Sequence, residues 1–402
     1  MLIFNFNKPN IIILSFSTVM LLYGAGGIFP KVAWIIIIST LLILSIYFIF
    51  RRRRVIPIEY AYVFCCATLW LLVPLFFSFY YHDWFLNIKL LLETLLYVIF
   101  SIVVCSWMSK DTSRFEVVTS SMTKIWLVTS FLFFVFYISG FVVYENTFSG
   151  VYTNRNLFSI VSTLLLICTL CFVEGKSKKI TYATLLIICV LSTASIKGLI
   201  GVLLVIYTYQ MKNFRLYKVF GFSLLLSFFV FIVIQSDTLI SQRLSSLIDV
   251  LNSFDLSGMG SASERLWLIV NGSELAFDHL DFGIGLYNSK YYLFPPWQLL
   301  KAERVGDVLD VGLYTHMNYL EVLLSTGLFG FLAYYLPHLL IFFRSKSGFR
   351  YNINLRFCWV FIVYKLFLDV GMVSYNSFPL VFFYVFSLIL IFNYNKGVSS
   401  NE

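Results

Sequence analysis

The chain has 402 residues, of which 60% are apolar, 19% aromatic and 12% charged, with a formal net charge of +9. Soluble domains run nearer to about 45–50% apolar and about 25% charged, so a water-soluble enzyme, a disordered chain and a nucleic-acid binder are excluded. A bilayer crossing needs roughly 20 apolar residues, so the composition supports about twelve spans and an all-α polytopic membrane helix bundle.

In chain order, apolar runs of spanning length lie at 10–28, 32–50, 57–80, 89–108, 125–144, 157–173, 181–195, 198–211, 219–235, 325–343, 357–374 and 379–394. The runs at 181–195 and 198–211 are short, and are read as tilted or broken helices or as one hairpin that does not fully cross. Placing the N-terminus inside puts 19 of the 29 Lys and Arg residues in the cytoplasm, including the block Arg51 to Arg54. The inside connections are short, so the positive-inside rule applies to them and both termini are expected to be cytoplasmic. The first apolar run then serves as a signal anchor and no cleaved leader is needed. The net charge is thus mostly a topology signal. The seven cysteines, Cys65, Cys66, Cys105, Cys168, Cys171, Cys189 and Cys358, all fall in apolar runs without metal-ligand spacing and read as helix-packing residues.

This divides the chain into nine spans over 1–235, an outer loop over 236–316, and three spans with a cytoplasmic tail over 317–402. The loop holds ten of the 20 acidic residues together with Arg243, Arg265, His279, Lys290, Lys301, Arg304 and His316. A connection of this length in a tight bundle is usually functional, so chemistry is expected there.

Ser261 and Glu264 have capping-box spacing, which predicts a helix from there towards Phe277. Arg265 lies in its first turn, where a cation opposes the helix dipole; it either grips an anion such as a phosphate or pairs with a loop acid. Farther on, the Gly283-x-Gly285 element is read as tight turning, since it lacks the strand and helix of a dinucleotide site. The aromatic run Tyr291 to Trp297 either stacks on sugars or belongs to an interfacial aromatic belt. In Thr315-His316-Met317-Asn318-Tyr319-Leu320-Glu321, Asn318 and Glu321, or more weakly Thr315 and Asn318, have capping spacing, so a helix begins within a residue or two of His316. A helix N-terminus disfavours imidazolium, which leaves His316 either a neutral general base or a histidine that simply bonds the loop. Arg155 before the sixth run and Lys197 between the two short runs lie on the same outer side, and with Arg265 they can converge on one anion. Lys365 and Asp369, like Lys89 and Glu93, are four residues apart and can neutralise each other on a helix; such pairs also keep a transport reading open.

Taken together these features resemble the O-antigen polymerase and O-antigen ligase superfamily of bacterial membrane glycosyltransferases, over roughly residues 140–345. The resemblance rests on Gly-x-Tyr-x-Asn-x-Asn at Gly150 to Asn156, the small-residue and cation junction Ser195 to Gly198, and a Ser-x-Arg-x-x-Trp-like start at Ser263 to Leu268. It continues with Asp281 to Gly285, and with His316 to Glu321 followed by Gly327 and Gly330. It implies a bundle of about 12 transmembrane helices with one large, partly helical periplasmic loop, in the bacterial inner membrane. The implied activity is metal-independent and cofactor-free: sugar chains are transferred from an undecaprenyl-diphosphate-linked donor to an acceptor at the periplasmic face, with a separate chain-length regulator as partner. His316 matches the family's essential histidine and Arg265 the arginine that engages the donor diphosphate. Lys197 stands where the family usually has arginine, which keeps the charge but loses the bidentate fork; Arg155 and Arg243 match further diphosphate contacts. Trp267, Asn318, Tyr319 and Glu321 are candidates to orient His316 or hold the acceptor. The run Met317 to Glu321 looks more like a polymerase than a ligase that transfers the finished chain to lipid A core. A flippase or exporter of lipid-linked sugars is the alternative of a different class.

Overall fold

The computed structural model describes residues 8–23, 31–40, 84–108, 112–141, 148–152, 154–211, 221, 239–254, 261–286, 288–294, 315–375 and 377–399. Every regular element among the described residues is helical, and there is no strand among them. The elements are α1 (Lys8–Leu22), α2 (Trp84–Met108), α3 (Thr112–Ile138), α4 (Arg155–Phe172), α5 (Lys176–Ser192), α6 (Ile196–Gln210) and α7 (Leu239–Ser253). They continue with α8 (Ser261–Asp278), the 3-10 turn η1 (Asn288–Tyr291), α9 (Asn318–Gly348), α10 (Ile353–Asp369) and α11 (Phe378–Ser399). A further helical stretch covers Lys31–Thr40. The expected span at 57–80, that at 219–235 apart from Gly221, residues 41–50 of the run at 32–50, the block Arg51 to Arg54, Cys65, Cys66, residues 295–297 of the aromatic run, Lys301 and Arg304 lie outside the described residues.

Among the described residues, three helices are long and apolar enough to cross a membrane: Arg114–Ile138, Arg155–Phe172 and Asn318–Gly348. Their surroundings differ. The face of α3 that carries Phe131 (65% exposed), Leu132, Val135 and Ile138 (70% exposed) is open, as expected of a helix against hydrocarbon. By contrast, α4 is buried along nearly its whole length. Trp126 of α3 donates through its indole N–H to Ser162 Oγ of α4 at 2.9 Å and stacks on Phe158 with ring centroids 5.0 Å apart. Helices in lipid gain little from hydrophobic exclusion and rely on close packing, which small residues permit. Gly198 and Gly201 of α6 serve that purpose: a Cβ at Gly198 would stand 2.7 Å from Ser159 Cβ of α4, and one at Gly201 would stand 2.6 Å from Tyr364 of α10.

The two short runs are two separate helices. They turn at Thr193 to Ser195, where Ala194 takes φ 47°. With 15 residues at about 1.5 Å each, α6 extends about 22 Å and is shorter than a hydrocarbon core of about 30 Å. The helix α9 is the opposite case, with 31 residues and a break at Gly327 (φ 64°, ψ −171°).

That break is filled by the turn expected at Gly283-x-Gly285. Ile284 and Gly285 donate their backbone N–H groups to the carbonyls of Leu324 and Ser325 at 2.8 and 2.9 Å, and Leu328 N–H donates to Leu280 O at 2.7 Å. A Cβ at Gly283 would lie 2.5 Å from the Ser325 carbonyl carbon, and one at Gly327 would lie 2.4 Å from Asp281 O, so both glycines are required for backbone to meet backbone. The helix break thus fastens the segment that follows α8 onto α9. The described cysteines are unpaired, with Cys105, Cys168, Cys171 and Cys358 buried and Cys189 half-buried.

Candidate functional site

The site is assembled from helix N-termini. Asn154 caps α4 by accepting from the N–H groups of Asn156 and Leu157. Ser195 caps α6 by accepting from Gly198 N–H at 3.2 Å, and its hydroxyl donates to Asn156 Oδ1 at 2.9 Å, which locks the starts of α4 and α6 together. Arg155 is the first residue of α4, half-buried and engaged in contacts of its own. Lys197 is the second residue of α6 and also half-buried; its shank crosses Gly371, where a Cβ would stand 2.8 Å from Lys197 Cε.

The predicted helix from Ser261 forms as α8 and runs to Asp278. It presents Arg265, an exposed residue, close enough to Lys197 and His316 to act on both electrostatically. His316 sits two residues before α9. Its pKa is lowered from the usual histidine range to about 4, first by burial, then by Arg265 and then by Lys197. The ring is therefore neutral at neutral pH and able to accept a proton, and that capacity disappears as pH falls through about 4. Among the described residues, neither Lys197 nor Arg265 has a carboxylate within ion-pair distance. Three segments far apart in sequence thus bring two cations, helix N-terminal dipoles and a neutral imidazole to one place, which suits an anion that carries a reacting group.

The start of α9 differs from the expected capping. Its N-cap is Met317, with no side-chain capping bond, and neither Asn318 nor Thr315 fills that role. Asn318 is drawn away into the bundle. It is fully buried, its amide N–H donates to Tyr335 Oη at 2.9 Å, and its Oδ1 accepts from the N–H groups of Ser374 and Tyr375 at 2.8 and 3.2 Å. Tyr319 stacks on Tyr335 at 4.9 Å and donates to Leu366 O at 2.9 Å. Both residues thus hold α9 against α10 and the turn that follows α10. Trp267 packs beside the cluster of Leu268, Ile284, Leu293 and Leu324. Arg243 lies on α7, and its side chain is outside the described residues.

Glu321 does not complete a capping box. Its carboxylate, 0% exposed, accepts from Thr315 N–H at 3.0 Å, Thr315 Oγ1 at 3.0 Å, Ser289 Oγ at 2.8 Å and, more loosely, Ser325 Oγ at 3.5 Å. Ser289, Ser374 and Gly371 are site-supporting residues that the sequence did not single out; each acts through a partner remote in the chain, and none belongs to a motif. Among the described residues no group of three or more His, Cys, Asp or Glu side chains could hold a metal ion.

Deeper in the bundle, Lys365 Nζ donates to both oxygens of Asp369 at 2.7 Å and to Tyr334 Oη at 3.1 Å. Asp369 also accepts from Tyr335 Oη at 3.1 Å and from Ser374 Oγ, so the expected pair is the centre of a network that reaches Asn318. No family model matches the chain, and no curated protein matches it.

Proposed function

We propose that the chain is a membrane glycosyltransferase of the O-antigen polymerase type, joining undecaprenyl-diphosphate-linked oligosaccharide repeat units at the periplasmic face of the bacterial inner membrane. The observation that carries this reading is the convergence of Lys197, Arg265 and His316 from three separate helix starts. The reaction needs an anion grip for the leaving lipid diphosphate and a proton acceptor for the attacking sugar hydroxyl, and no metal if cations take up the developing charge. In this reading the acceptor oxygen attacks the anomeric carbon, the bond from that carbon to the diphosphate oxygen breaks, and the hydroxyl proton passes to the His316 ring. Arg265 and Lys197 hold the departing diphosphate; Arg265 can do so with two parallel N–H bonds, Lys197 only as a point charge.

A base with a pKa near 4 is weak, but the donor corrects this. Its negative charge offsets Arg265 and Lys197, which both depress the imidazole, so His316 gains basicity once the substrate is bound. The product chain and its chain-length regulator follow from the same reading.

Gene deletion in the native host tests it. Loss of a polymerase leaves lipopolysaccharide carrying a single repeat unit, and this is the expected result. Bare core with long chains stranded on the lipid diphosphate would instead identify a ligase, and an unchanged ladder would reject both.

A further inference from the structure

We propose that Glu321 is the positioning residue of this site: it holds His316 in its turn by clamping Thr315, and takes no part in proton transfer itself. His316 has φ +57°, a left-handed backbone conformation that a side chain with a Cβ adopts only when its surroundings impose it. The residue before it, Thr315, is fixed at its backbone N–H by Glu321 Oε2, and its hydroxyl lies between the same oxygen and the Met317 carbonyl at 3.1 Å. The residue after it, Met317, supplies the carbonyl that accepts the Glu321 N–H at 2.9 Å and so opens α9. Glu321 therefore grips both neighbours of His316, one through its carboxylate and one through its backbone. The other carboxylate oxygen reaches Ser289 at 2.8 Å, so η1 of the loop is bound to the same group.

All four contacts to the carboxylate come from neutral donors, and Arg265 and Lys197 are among the electrostatic partners of His316. A buried acceptor held only by hydroxyls and an amide does its work by geometry. Glutamine can reproduce that geometry: its carbonyl oxygen faces Thr315, and its NH2 faces hydroxyls that can turn to accept.

The inference rests on His316 being the proton acceptor, so its test needs a readout that does not require turnover. In the purified full-length protein in lipid nanodiscs, the rate at which diethyl pyrocarbonate modifies His316, followed by peptide mass spectrometry, reports how firmly the ring is held. Glu321→Ala is expected to speed modification about fivefold or more, while Glu321→Gln stays within about twofold of the parent. Chain polymerisation in cells should follow the same order, with Gln retaining the ladder and Ala losing it. Where Glu321→Ala does not fold, Thr315→Val and Ser289→Ala each remove one arm and should each speed modification about twofold. Unchanged modification in the Ala variant, or in both arm variants, overturns the clamp. A Gln variant with parental modification but no polymer overturns the purely positional role. If His316→Ala still polymerises, the base assignment falls, yet the modification rates still decide whether Glu321 holds the turn.

Discussion

Glu321 and Asp369 are both carboxylates with 0% exposure, and both connect to the first turn of α9, yet they are satisfied in opposite ways. Glu321 is surrounded by an amide and three hydroxyls. Asp369 has a cation of its own, Lys365, held to both of its oxygens and itself 2% exposed. The difference separates two kinds of support. Around Glu321 what matters is where donors point, and the beneficiary is the backbone at His316. Around Asp369 what matters is that two charges inside the bundle cancel, and the beneficiary is the joint between α9, α10 and the turn carrying Ser374 and Gly371. It also bears on the transport reading. With Lys365 bonded to two carboxylate oxygens and a tyrosine, and Asp369 to a tyrosine and a serine, the pair is saturated by its own neighbours and resembles a structural joint more than an ion-coupling site.

The contrast can be broken most forcefully at Asp369. Asp369→Ala leaves the Lys365 ammonium buried without its partner, and removal of one member of a buried pair costs about 3–5 kcal/mol. The expected outcome is loss of folded protein, read as recovery and thermal stability in detergent. Removing both charges, as Lys365→Met with Asp369→Leu, should recover much of that loss. A double variant as unstable as the single one would show that the pair supplies more than mutual neutralisation.

A smaller effect is expected near Lys197. Gly371→Ala places a methyl group 2.8 Å from Lys197 Cε and 3.1 Å from Nζ. The side chain can swing away at a stability cost under about 1 kcal/mol, because a long lysine has other rotamers. The ammonium would then leave the site, so on the proposed function polymerisation should fall several-fold while thermal stability barely moves. A parental ladder from this variant would mean that the position of Lys197 is not critical.

Much of this architecture was legible in the chain. Each apolar run covered by described residues overlaps a helix, although those at 125–144, 181–195 and 357–374 outrun the helix end, because composition is a local property and a helix end is not. The helix from Ser261 was legible for the same reason, since Glu264 and the apolar residues behind it sit within a single turn or two. What escaped was set by distant partners. Asn318 has the spacing of a cap, but the Ser374 and Tyr375 amides and the Tyr335 hydroxyl compete for its side chain and win. The Gly283-x-Gly285 turn was legible as a turn, whereas its docking needs carbonyls that become available only because α9 breaks at Gly327. Ser289 and Glu321 are 32 residues apart with no motif joining them. Arg265, Lys197 and His316 stood out individually as cations and a histidine on the outer side, but their meeting is a tertiary fact.

Titration of His316 reports whether the three groups meet. The chain has four histidines, so the ring resonances of a labelled sample can be assigned with His316→Ala as reference. The expected midpoint is about 4, and it should rise when millimolar inorganic pyrophosphate is added or when Arg265 is changed to Gln, since each removes positive charge felt by the imidazole. A midpoint near the ordinary histidine value that neither pyrophosphate nor Arg265→Gln moves would contradict the account, because the two cations and the imidazole would then not share one site.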